Sequence, residues 1–226
     1  MKTLKIFAVL FLSVLLTPEA FSQVRSNFHI GPSFPVGEFG SDDIDDNDAS
    51  GAGVGITGGL QFTYPLSDIG LGLFGGIDFS YNGLSGEFKE DVYENYELLG
   101  VDDDDMELYK YINVPISVGL NYNYTADEKI GVFANAGLVL NFLKVTDFEF
   151  IMLNETITSE YELSTNLGYK VGAGIVFNEK FTVAIDYYGL GEHNVDGEIE
   201  ILNNKEDLDD LEMEIDFVTL TFGIRF

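Results

Sequence analysis

Residues 109–124 read Tyr109-Lys110-Tyr111-Ile112-Asn113-Val114-Pro115-Ile116-Ser117-Val118-Gly119-Leu120-Asn121-Tyr122-Asn123-Tyr124. Every second residue from Ile112 to Tyr124 is apolar or aromatic, and between them stand Asn113, Pro115, Ser117, Gly119, Asn121 and Asn123. A period of two predicts a strand with one apolar and one small, polar face. The stretch is also long. Globular strands run about five or six residues, whereas a tilted strand crossing a bilayer needs roughly 9 to 11.

Seven further runs share this character, over residues 27–36, 52–64, 71–82, 130–144, 161–177, 181–190 and 214–226. In the last, Val218, Leu220, Phe222, Ile224 and Phe226 oppose Phe217, Thr219, Thr221, Gly223 and Arg225; in the fifth, Ile130 to Phe142 set apolar side chains against Gly131, Asn135, Gly137 and Asn141. A soluble, lipocalin-like binder would carry Lys and Glu on the outer face of its strands around an apolar interior. Gly, Asn, Ser and Thr stand there instead, which predicts apolar side chains facing lipid and small polar ones filling a narrow interior. Tyr64, Tyr81, Tyr122, Tyr124 and Tyr187 lie near strand ends, where interfacial girdles form. Lipid offers no hydrogen-bond partner to an open sheet edge, so the strands must close. The expected fold is all-β, an eight-stranded antiparallel up-and-down transmembrane β-barrel.

The connections strengthen this reading. Residues 65–70, 125–129 and 178–180 are short turns, while 37–50, 83–108, 145–160 and 191–212 are long. Short turns on the periplasmic side alternating with long extracellular loops is the rule of outer-membrane barrels. The four long gaps hold 29 of the 39 acidic residues, in a chain with 11 basic ones and a formal net charge of -28. Such acidity excludes nucleic acid as a partner. At 46% hydrophobic and 14% aromatic residues the chain can nevertheless bury a core and is not disordered. Without Cys it has no disulfide, no thiolate metal site and no lipoprotein anchor.

At the N-terminus, Lys2 and Lys5 precede the apolar run Ile6 to Leu16, and Ala20-Phe21-Ser22 follows as a small-x-small cleavage site. This pattern predicts a secretory signal peptide over 1–22 and a barrel domain over 23–226. The expected location is the bacterial outer membrane.

Two groups of residues are candidates for a site. If 178–180 is a turn that pairs Phe177 with Phe181, Asp186 lies opposite Gly172 and one same-face step from Lys170, and Asp78 reaches a similar height. Buried charges persist when paired, so Asp78, Lys170 and Asp186 are expected to plug the lumen. The runs at 42–48 and 102–105 cluster hard oxygen ligands, with Asp43, Asp45, Asp102 and Asp104 the candidates for weak Ca²⁺ binding, although neither spacing is that of an EF-hand loop. No other cofactor is expected. His29 with Ser33 is the nearest suggestion of a lipid A-modifying enzyme, and both fall on the inward face, so a catalytic site is not expected.

The final run, with Leu220, Phe222, Ile224 and Phe226, resembles the C-terminal strand of outer-membrane β-barrels, whose terminal Phe and alternating hydrophobic residues are read by the barrel insertion machinery. Tyr111 to Leu120 and Gly31-Pro32-Ser33-Phe34-Pro35-Val36-Gly37-Glu38-Phe39 resemble strands of the porin-type outer-membrane β-barrel domain family, which includes the small OmpA/OmpX-like eight-stranded barrels. The resemblance implies an integral membrane protein among outer-membrane lipid and lipopolysaccharide. The expected role is non-enzymatic, structural or surface-interacting through acidic extracellular loops toward an extracellular or assembly partner, with a narrow porin-like channel as the alternative.

Overall fold

The computed structural model describes residues 24–44, 48–125, 129–152, 155–201 and 204–226. They form eleven strands: β1 (Arg25–Val36), β2 (Gly55–Pro65), β3 (Leu71–Asn82), β4 (Met106–Glu107), β5 (Tyr111–Thr125), β6 (Ile130–Val145), β7 (Phe148–Met152), β8 (Glu155–Tyr161), β9 (Leu163–Phe177), β10 (Phe181–Ile201) and β11 (Asn204–Arg225). One helix, α1 (Gly86–Glu97), lies between β3 and β4. Residues 1–22, read above as a signal peptide, lie outside the described residues.

The eight alternating runs supply β1, β2, β3, β5, β6, β9, β10 and β11. Each pairs antiparallel with the next, and β11 pairs with both β10 and β1, so the ladder returns to its start. The ring has no open edge. Its outer face is apolar: Phe28, Ile30, Phe62, Ile77, Phe79, Val118, Leu120, Leu138, Leu167 and Phe222 are all exposed. Ser33, Ser80, Asn82, Asn113, Asn141 and Thr219 point inward and are almost wholly buried. This distribution inverts that of a soluble barrel and suits a hydrocarbon solvent. The inward face is less uniformly small than its sequence reads, because Phe74 and Phe133 also enter the lumen. Phe74 lies over Gly119 and Gly137, where a Cβ would meet its ring edge at 2.8 and 2.9 Å.

The short-turn end is tight. Asn178 and Glu179 both have positive φ, 51° and 60°, and the Lys180 N–H donates to the Phe177 carbonyl at 3.0 Å. The turn sets Phe177 opposite Phe181.

At the other end the expected long loops are corrected to folded structure. β10 and β11 continue past the ring as a ribbon, pairing from Glu192↔Glu214 to Ile201↔Asn204. β8 pairs with this ribbon, β7 with β8 and β4 with β7, so the same sheet extends above the ring. In α1 the Ser85 Oγ caps the first turn by accepting from the Phe88 N–H at 3.1 Å, and Phe88 and Val92, one turn apart, are buried. Acidic residues interleave the apolar ones in all these segments. Charge hid a period of two in the ribbon and a one-turn repeat in the helix. The packed result is one hydrophobic core in which Phe39, Leu84, Phe88, Leu108, Phe148 and Val195 cap the barrel's own Tyr188, Phe217 and Ile215.

Candidate functional site

The lumen is organised in tiers of buried polar groups. Near the short-turn end, the Asn121 Nδ2 donates to Asn135 Oδ1 at 2.6 Å, and Asn135 Nδ2 donates to Gln61 Oε1 at 3.4 Å. At mid-height stand the charges. Lys170 Nζ lies 3.6 Å from Asp78 Oδ2 and 3.7 Å from Asp186 Oδ1, and all three residues are less than 5% exposed. The three candidate plug residues are thus brought together, with Asp186 opposite Gly172 and Lys170 opposite Tyr188.

Two further residues complete the cluster. His29 Nε2 is 2.8 Å from Asp78 Oδ1, and the Tyr188 hydroxyl donates to Asp78 Oδ2 at 2.7 Å. Lys170 also sits 4.7 Å above the Tyr188 ring, which stacks on Phe217 at 4.8 Å. Each aspartate lies over a glycine of the neighbouring strand, and a Cβ on Gly59 or Gly172 would collide with its carboxylate. Asp186 differs from Asp78 in one respect. Its Oδ1 has the lysine as an ionic neighbour but no hydrogen-bond partner, because 3.7 Å is attraction without a shared proton.

Above the charges, Asn141 Nδ2 donates to Asn113 Oδ1 at 2.7 Å and lies 3.2 Å from His193 Nε2, while His193 Nδ1 lies 3.2 Å from Ser164 Oγ. Burial lowers the His193 imidazole to about 4. Over this tier, Tyr111 meets Phe39 and Tyr109 meets Phe148 edge to face, and Tyr109 also meets Tyr111 and Tyr161. Burial pushes the Tyr161 phenol up to about 12.

His29 and Ser33, the pair weighed as a catalytic suggestion, are both buried in the lumen. The histidine is engaged with Asp78, and Ser33 Oγ is directed to Asn82 Oδ1 at 3.5 Å. Of the described candidate calcium ligands, Asp43 and Asp104 line separate clefts, Asp43 one with Asp42, Glu87, Asp91 and Glu94, and Asp104 one of about 760 Å³ with Lys89, Tyr93 and Phe150. Asp102 is exposed at the edge of a 3₁₀ turn, and Asp45 lies outside the described residues. Among the described residues no group of three or more His, Asp or Glu is disposed to hold a metal ion. Of the C-terminal insertion residues, Phe222, Ile224 and Phe226 are exposed on the outer face and Leu220, which precedes them on the strand, is partly exposed.

The ring of eight strands, its apolar exterior and its polar interior agree with a family model. The outer membrane protein beta-barrel domain matches residues 7–226. The chain belongs to this family. It is an integral protein of the bacterial outer membrane, lying among lipids, and its short turns therefore face the periplasm. Among solved structures, a major outer membrane protein from Thermus thermophilus matches with a TM-score of 0.51 at 16% identity, covering 90% of this chain and 99% of that one. Neisserial surface protein A matches with a TM-score of 0.47 at 12% identity, covering 90% and 96%. The attachment invasion locus protein of Yersinia pestis matches with a TM-score of 0.42 at 14% identity, covering 90% and 99%. No curated protein matches the chain in sequence. The family's barrels are outer-membrane proteins of several kinds, so the lumen and the cap have to be interpreted on their own chemistry.

Proposed function

We propose that this barrel is a sealed, non-enzymatic scaffold that holds a folded acidic surface outside the cell for an extracellular or assembly partner. The observation that carries the reading is the filled lumen. Lys170, Asp78, Asp186, His29 and Tyr188 join across its middle, and the cavity beneath them amounts to only about 10 Å³. Above them the aromatic cap packs onto the barrel wall. An ion would have to displace a paired charge cluster and then a hydrophobic core, and the cost of leaving buried carboxylates without their lysine opposes that. Engagement of His29 and Ser33 inside the lumen supports the absence of lipid A chemistry, since neither faces lipid.

Export through a leader over residues 1–22 is part of this reading, as is recognition of Leu220, Phe222, Ile224 and Phe226 by the insertion machinery. The expected partner approaches the cap, where the 29 acidic residues of the long connections are concentrated, and carries basic groups or bridging cations. Planar-bilayer recordings on the purified, heat-modifiable protein test the sealed lumen. No conductance steps are expected; reproducible steps would replace the scaffold with a narrow channel.

A further inference from the structure

The chain has two arginines, Arg25 and Arg225, and both stand at the periplasmic mouth of the lumen. They lie on the first and last strands of the ring, which pair directly, with Arg225 opposite Asn27. Alternation places both on the inward face with Asn27, His29, Thr221 and Thr219. Arg225 sits 5.6 Å above the Phe133 ring, inside the wall. Both guanidinium-bearing residues line the same cavity.

In a chain with 39 acidic residues, two adjacent guanidinium groups would ordinarily find carboxylates. Here neither forms an ion pair among the described residues. Arg225 has a hydrogen bond to a neutral amide, Asn123 Oδ1 at 3.5 Å, and the main-chain oxygen of Phe226 is taken by the Ser26 N–H. Glu179 and Lys129 also line the mouth, but Glu179 pairs with neither arginine. The cavity they share holds about 230 Å³ and is bordered by Asn123 and Thr125. It opens toward a small vestibule whose wall is Asn27, Gln61, Thr63, Asn135 and Thr221 and which reaches up to His29 and Asp186. Amides and hydroxyls, with Glu179 at the rim, surround guanidinium groups that form no ion pair among the described residues.

We infer that this mouth is a binding site for a small soluble oxyanion, a carboxylate or phosphate presented from the periplasm. Arginine's planar fork matches the two oxygens of such a group, and two forks from adjacent strands can bracket it. The anion would also offset the like charge of two arginines that line one cavity. The site lies at the opposite end from the acidic cap, so it does not depend on what the cap binds.

Two arginines provide a direct assay, because they give the only guanidinium Nε–H signals of the protein. In a neutral detergent, titration of the folded, isotope-labelled barrel with inorganic phosphate or acetate is expected to move both signals saturably. Arg25→Gln, at an exposed position whose side chain holds no hydrogen bond among the described residues, is expected to weaken binding about tenfold while the barrel stays folded, the worth of one charge-assisted contact. Signals that do not move, or that drift linearly with salt, would overturn the site. Signals that move only in bilayers of anionic phospholipid, and not with free phosphate or acetate, would also overturn it, by giving the arginines to lipid headgroups.

Discussion

At the residue scale, Lys170 is the cation that holds two buried aspartates in place. Lys170→Met keeps much of the side chain's length and removes its charge. It is expected to destabilise the barrel by about 3 kcal/mol, because Asp78 and Asp186 then share an enclosed site without a counter-charge. Thermal unfolding in detergent, followed by loss of the heat-sensitive compact band, measures this; an unchanged transition would remove the cluster from any account of stability. His193 gives a separate, pH-dependent expectation. Burial lowers it from 6.5 to about 4, so the unfolded chain takes up a proton before the folded one does. Stability from this group is complete above pH 6.5 and is lost as the pH falls toward 4. His193→Asn should flatten the decline in unfolding temperature across that interval, compared with the parent protein over the same buffers. The charged trio was legible in the sequence because a short turn fixes the β9–β10 register. That register also sets Tyr188 opposite Lys170, a contact that could have been read from the same turn. His29 could not be read, because the connection between β1 and β2 is long and leaves their relative height open.

At the element scale, the membrane-spanning strands follow their alternation closely, and β3 coincides with its predicted run. The structure above the membrane does not. In the segment Glu198-Ile199-Glu200-Ile201 a period of two is present, but alternating carboxylates favour a solvated loop until β8 pairs with it. The helix is similar: α1 has Phe88 and Val92 as its buried residues among five acidic ones, and it is the facing Phe148 and Phe39 core that secures it. Tertiary burial, absent from any local pattern, decided these elements. The β9–β10 turn yields a testable departure from ideal sequence. Glu179 has φ of 60°, a conformation that costs a side-chain-bearing residue and suits glycine. Glu179→Gly is expected to stabilise the folded barrel by about 1 kcal/mol, read as a raised unfolding temperature. A lowered temperature would mean that the glutamate makes a contact worth more than the strain.

At the scale of the whole molecule, the solvent around each third of the barrel dictates a different composition. Hydrocarbon selects the apolar belt, the lumen selects small amides and one paired charge cluster, and water at the cell surface selects carboxylates over an aromatic core. The acidic excess lies at the extracellular end, whereas at the periplasmic end Arg25, Arg225, Lys129 and Lys180 match Asp68, Asp127, Glu128 and Glu179 in number. The lumen cluster links these parts in time as well as in space. Lys170, Asp186 and Tyr188 belong to the β9–β10 hairpin, whereas His29 and Asp78 belong to the sheet of β1, β2 and β3. Each half can form alone: the hairpin brings its lysine beside one aspartate, and the other sheet brings its histidine beside the second. The Lys170 and Tyr188 contacts to Asp78 exist only after the two halves face each other across the interior. Seam formation between β1 and β11 is therefore rewarded twice, once along the backbone and once through the middle, which makes an almost-closed barrel a poor resting state and the last step of assembly an abrupt one.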